Sequence, residues 1–264
     1  MPRPDRLWLV VLAGTLALAV VGCKSQPKAK LGPSVASVYS VRDPDNVRRH
    51  VRWQELLTLA ARDMQVGNLD AAERKARDAQ KLAPDAPDAP DALVLLAGID
   101  ERRGRTQQAG ENFRRAAELA PQRGDILNNY GAWLCQQGRP AESLVWFDRA
   151  VQAPGYATPA EAQANAGGCA LDAGQLERAE RDLRAALTTL PGNPVALEAM
   201  AQLSFRQGRY MEARAFAERR IAAAPATRSV LQLASQIEAR LGDRAASDRY
   251  LQRIRQEFPQ DAGS

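Results

Sequence analysis

Glycine returns along this chain at Gly67, Gly104, Gly138, Gly174, Gly208 and Gly242, with gaps of 37, 34, 36, 34 and 34 residues. Proline keeps the same beat at Pro84, Pro121, Pro154, Pro191, Pro225 and Pro259, spaced by 37, 33, 37, 34 and 34. Each proline follows its glycine by 16 or 17 residues. The two residue types punctuate for different reasons. Glycine takes the left-handed backbone angle that closes a helix, whereas proline lacks the N–H that would carry a helix onward. The shared period therefore predicts a helix, a turn glycine, a second helix and a terminating proline, six times over. In such an array each unit packs only against its neighbours.

The residues between the punctuators say how closely the two helices approach. With the turn glycine counted as position 15, position 20 is Ala72, Ala109, Ser143, Ala179, Ala213 and Ser247, and position 8 is Ala60, Ala97, Gly131, Gly167, Ala201 and Ser235. All are small. Position 24 carries Phe113, Phe147, Leu183 and Leu251 in four units but Ala76 and Ala217 in the first and fifth. Position 27 carries Ala79, Ala116, Ala150, Ala186, Arg220 and Ile254. This pattern resembles the tetratricopeptide repeat (TPR), whose period is about 34 residues. The units run 53–86, 90–123, 124–157, 160–193, 194–227 and 228–261, with insertions at 87–89 and 158–159. The expected fold is all-α: a right-handed α-solenoid of six TPR helix pairs, its first helices lining a long concave groove. With only 5% aromatic residues, the composition also argues against a sandwich or barrel.

Residues 1–22 read as an address. Arg3 and Arg6 precede an uncharged 15-residue hydrophobic run (LWLVVLAGTLALAVV), and Gly22 and Cys23 follow. The run is short of the ~20 residues that span a bilayer but fits the core of a secretory signal. Val20-Val21-Gly22-Cys23 resembles a bacterial lipobox, in which a peptidase cuts before a cysteine whose sulfur carries the lipid; the alternative is an ordinary signal peptide or short anchor helix with an incidental cysteine. The resemblance implies membrane attachment through a lipid on Cys23, and Lys24 beside it implies the outer membrane, facing the periplasm. Residues 23–52 then read as the lipidated cysteine, a flexible tether rich in proline up to about residue 45, and a lead-in to the first helix. Lys24, Lys28 and Lys30 either keep that tether solvated or meet lipid headgroups.

Little here resembles an enzyme. The chain has one histidine, His50, in a basic stretch, which argues against a histidine-based metal site or proton relay. It has no His-x-x-x-His, Cys-x-x-Cys or phosphate-cradling glycine loop. Glu177 and Glu180 sit beside Arg178 and Arg181 at helical spacing and read as a solvated face. A formal charge of +5 without a dense basic run gives no support for nucleic-acid binding. No cofactor, metal or small-molecule substrate is expected, and a groove favours a protein partner.

Cys135 and Cys169 fall 34 residues apart on neighbouring first helices. In an oxidising compartment they either form a disulfide between repeats three and four or fill small gaps as buried thiols. Repeat three also holds the most individual stretch, Asn128-Asn129-Tyr130-Gly131-Ala132-Trp133-Leu134-Cys135-Gln136-Gln137-Gly138, which continues in repeat four as Asn165-Ala166-Gly167-Gly168-Cys169. Together with the lipobox and the six repeats, this block resembles the PilF/PilW family, the pilotins of type IV pilus biogenesis. The resemblance implies a protein-binding lipoprotein that helps locate or assemble the secretin ring; a general envelope scaffold, for example in cell-wall synthesis, is the alternative. Asn129 and Asn165 share position 6, where peptide-clamping TPR proteins use an amide against a ligand backbone. They either do so here or bond only to the backbone of neighbouring repeats. Asn128, Gln136, Asp172 and Gln202 extend the same polar strip by helical spacing, while Trp133 reads as packing.

Overall fold

The computed structural model describes residues 44–82 and 89–259. Cys23, the signal segment and the tether up to residue 43 lie outside the described residues, as do Pro84 and residues 87 and 88 of the first insertion. The unit from Asp43 onward contains twelve helices among the described residues. They pair as α1 (Pro44–Gln65) with α2 (Leu69–Leu82), α3 (Ala89–Arg102) with α4 (Thr106–Leu119), and α5 (Gly124–Gln136) with α6 (Pro140–Gln152). The series continues with α7 (Pro159–Asp172) and α8 (Leu176–Thr189), α9 (Pro194–Arg206) and α10 (Tyr210–Ala223), and α11 (Arg228–Leu241) and α12 (Arg244–Glu257). Helices pack most heavily within a pair and next against the adjoining pair. The fold is an all-α solenoid of TPR helix pairs.

Both punctuators act as their chemistry requires. All six turn glycines have φ between 70° and 84°. At each one the two N–H groups beyond the first helix turn back onto its last carbonyls; Gly138 donates to Cys135 and Arg139 to Leu134, both at 3.0 Å. This pairing satisfies the orphan acceptors of the helix end. Pro121, Pro154, Pro191, Pro225 and Pro259 each stand two residues past the last residue of a second helix.

The first helix starts well ahead of residue 53, which the period gives as the start of repeat one. Pro44 is tolerated at a helix start, where its missing N–H has no intrahelical acceptor anyway. Asp45 in the first turn complements the helix dipole. The last part of the stretch read as tether and lead-in is thus helical. Its outward valines, Val47 and Val51, remain exposed.

Small residues at positions 8 and 20 are buried in every repeat. The bulk at position 24 compensates for them. A Cβ added at Gly131 would lie 2.9 Å from the Phe147 ring, and one at Gly167 only 2.5 Å from Leu183 Cγ. In the first and fifth repeats, alanine at position 8 faces alanine at position 24 instead. Gly167→Ala is accordingly expected to destabilise by about 1–3 kcal/mol through overpacking, even after the ~1 kcal/mol gain in helix propensity. A variant that melts at or above the wild-type temperature in urea or heat would contradict this close approach.

Arginines staple neighbouring repeats. Arg105 meets Asp100 at 2.6 Å and reaches Glu73 of the preceding repeat at 3.0 Å, where Arg103 also converges at 2.9 Å. Arg178 bonds Asp148 at 2.6 Å, and Arg123 meets Asp91 at 2.8 Å. Arg206 donates to the Leu171 carbonyl at 2.9 Å, and Arg102 does the same to Met64. In the fifth repeat the buried Arg220 replaces the usual alanine at position 27. It bonds Glu198 at 3.2 Å and the carbonyls of Ala224 and Pro225, holding the turn into α11.

Candidate functional site

Three hollows run in series along the first helices. The middle one, about 320 Å³, has Cys135, Cys169 and Phe147 in its floor and walls. α5 contributes Ala132 and Gln136, α7 contributes Asn165, Gly168 and Asp172, and α9 contributes Val195, Glu198, Ala199 and Gln202. A second hollow of about 290 Å³ lies between α1, α3 and α5 and shares Ala132 and Gln136 with the first. A third, of about 340 Å³, lies between α9 and α11 and shares Gln202. The shared residues make the three a continuous groove.

Cys135 and Cys169 are joined by a disulfide, with Cα atoms 5.9 Å apart. It ties α5 to α7, the first helices of repeats three and four. Gly168 beside it leaves the wall bare, with nothing within 4 Å of where its Cβ would stand.

The polar strip read from the sequence divides in the structure. Gln136, Asn165, Asp172 and Gln202 line the middle hollow together. Asn129 is exposed and lines the neighbouring hollow between α3 and α5, so it and Asn165 do not form one ladder. Asn128 is a correction: it is only 9% exposed, and its Oδ1 accepts a 3.0 Å hydrogen bond from Asn165 Nδ2. Position 5 of α5 points between the helices rather than into the groove, so Asn128 orients Asn165 from the preceding repeat. Asn165 keeps its second N–H and its carbonyl oxygen for other partners.

The acids of this hollow are largely engaged. Glu198 accepts from Ser229 at 2.7 Å and pairs with Arg220 at 3.2 Å, and Asp172 stands 4.0 Å from Arg206. The free hydrogen-bonding capacity of this hollow therefore rests mainly on amides. Trp133 is 8% exposed, stacked on Tyr130 and tilted against Phe113. A Cβ at Gly110 would meet its ring at 2.4 Å, so this tryptophan is packing that also walls the second hollow.

Sequence reading passed over Met64, Leu95, Gly98, Glu101, Val195 and Glu198, all of which line the groove. A register signal was there to use. Position 9 is Gly98, Ala132, Gly168, Gln202 and Gln236 in repeats two to six, and every one of them lines a hollow. Positions 2, 5, 6, 9, 12 and 13 form one stripe at helical spacing, from which Asn128 at position 5 of α5 is withdrawn. The small residues in that stripe disguise it as core.

A tetratricopeptide repeat family model matches residues 170–237. The crystal structure of PilW, described as a widely conserved type IV pilus biogenesis factor, superposes with a TM-score of 0.71 at 29% identity, covering 80% of this chain and 95% of PilW. PilF of Pseudomonas aeruginosa superposes with a TM-score of 0.70 at 23% identity, covering 82% of this chain and 95% of that one. Among curated proteins, cellulose synthase operon protein C of Pseudomonas fluorescens (strain SBW25) is 26% identical over 210 residues, which is 77% of this chain. The match spans only 16% of that much longer relative. With its six helix pairs and the extent of the PilW match, the chain is a PilF/PilW-like tetratricopeptide-repeat protein.

Proposed function

We propose that this protein is an outer-membrane lipoprotein, anchored through Cys23, whose groove holds a segment of the secretin subunit during type IV pilus biogenesis. The observation that carries the reading is the continuous row of hollows lined by uncommitted amides, on a fold matching PilW over most of both chains. Amides suit an extended segment because each offers a donor and an acceptor to a ligand's backbone. The function is binding rather than catalysis.

Gln136 and Gln202 serve as the test, because each is shared by two hollows and neither makes a side-chain bond within the fold. The double variant Gln136→Ala/Gln202→Ala is expected to keep its helical signal and melting temperature. It should retain about a tenth or less of the secretin recovered with wild type from detergent-solubilised envelopes, each lost hydrogen bond being worth ~0.5–1.5 kcal/mol. Cys23→Ser in the same experiment is expected to leave the outer-membrane fraction, because oxygen cannot replace the thioether sulfur. Undiminished secretin recovery by the double variant would remove the groove from the reading. Cys23→Ser retained in salt-washed outer membranes would remove the anchor. Recovery of cell-wall enzymes in place of secretin would favour a general scaffold.

A further inference from the structure

We propose that the hollow between α1, α3 and α5 is a specificity pocket for a basic side chain, lysine or arginine, of the bound partner segment, with Glu101 as its counter-charge. The proposal rests on the groove reading above and adds to it the chemistry of one partner residue.

Glu101 is the exceptional acid of the repeat array. The other partly buried or buried carboxylates among the described residues have a basic partner: Asp63 has Lys75, Asp91 has Arg123, Asp100 has Arg105, Glu198 has Arg220 and Glu238 has Arg214. Glu73, Glu180, Asp182 and Glu212 are likewise paired. Glu101 has no side-chain hydrogen bond or ion pair, although three arginines follow it within four residues. Arg102 donates to the Met64 carbonyl, Arg103 to Asp70 and Glu73, and Arg105 to Asp100 and Glu73. Cations are abundant beside Glu101, and all of them turn elsewhere.

Its surroundings make that isolation costly. Glu101 lines the hollow together with Met64, Val94, Leu95 and Phe113. Burial in this apolar setting pushes its carboxyl above the usual carboxylate range. A partly desolvated charge without a partner destabilises a fold, so a counter-charge brought from outside would gain what the fold itself leaves unmade. A lysine or arginine fits both halves of the hollow. Its methylene stem lies along the apolar wall while its cationic end meets the carboxylate. A divalent metal is a poor alternative, because it takes several oxygen ligands and the hollow offers a single carboxylate. Asn129 and Gln136 line the same hollow, where their amides can meet the backbone on either side of the basic residue.

The test uses random dodecapeptides displayed on phage and selected on the full chain, then the winning peptides as synthetic probes. Selected peptides are expected to carry lysine or arginine at one fixed position. Replacing that residue with glutamine should weaken binding to wild type about tenfold or more, and should change binding to Glu101→Gln by less than about twofold. Glu101→Arg is expected to select aspartate or glutamate at the same position. Glu101→Gln should melt no lower than wild type, since it removes a charge the fold does not pair; a clear drop would mark Glu101 as structural and overturn the proposal. Winners without a basic position, or a basic preference undiminished in Glu101→Gln, would also overturn it while leaving the groove intact. Peptides that bind away from the groove, unaffected by Gln136→Ala/Gln202→Ala, would end both readings.

Discussion

Phe147→Ala is expected to destabilise the protein by about 3–5 kcal/mol, the cost typical of truncating a fully buried aromatic ring. Phe147 has no exposed surface and belongs to the core that joins repeats three to five, beside Leu144, Leu171 and Leu183. Its ring occupies the space left by Gly131, so alanine there would leave two small residues facing each other. The helices cannot close the gap freely, because α5 is tied to α7 through the disulfide. Urea titration monitored by circular dichroism should show the loss, with Phe147→Leu losing much less. A second measurement tests the geometry itself: Gly131→Ala should be harmful alone but harmless, or restoring, beside Phe147→Ala. Additive effects of the two substitutions would contradict direct contact. A loss below about 1 kcal/mol for Phe147→Ala would show that the site collapses and that the ring is not the keystone of this core.

Reduction of Cys135–Cys169, or its replacement by two alanines, is expected to cost about 3–4 kcal/mol. The bridge spans a sequence separation of 34 residues, and the chain-entropy estimate for a loop of that length falls in this range. For a repeat array of this size the melting temperature should fall by roughly 10 °C. Non-reducing peptide mapping of protein exported to an oxidising compartment should recover one cross-linked pair. A melting temperature unchanged by reductant would mean that interhelix packing alone sets the stacking of repeats three and four. Beyond stability, the bridge lies in the middle hollow, so its loss should also weaken partner capture by the folded fraction.

The fold was open to sequence reading because its strongest signals are backbone chemistry. A left-handed glycine and a helix-stopping proline act the same way in every repeat, whatever the surroundings. Both helix-facing small positions could be read for the same reason. The groove was less open. Asn128 and Asn129 are adjacent and chemically identical; the shared position 6 placed Asn129 on the polar strip, and helical spacing placed Asn128 beside it. Only the docking of α5 against α7 decides that one is buried against Asn165 while the other is exposed. Glu101 was invisible for a related reason. Its distinction is the absence of a partner, and that depends on where Arg102, Arg103 and Arg105 point. The repeat period could not mark the start of α1, because the turns of that helix ahead of residue 53 lie outside the repeat, and Pro44 is compatible with the first helical turn.

Gln136 and Gln202 each belong to two hollows, so filling one hollow alters the wall of the next. A glutamine side chain gives up ~1.5–2 kcal/mol of rotamer freedom when it is immobilised. Here that loss is incurred once and serves both sides. If the groove holds an extended segment as proposed, the first hollow filled is the least favourable and each later one meets a wall already ordered. Affinity for peptides of increasing length is then expected to rise steeply once a segment crosses a shared glutamine. On that reading the array would measure the length of what it holds, a discrimination that no single repeat could make.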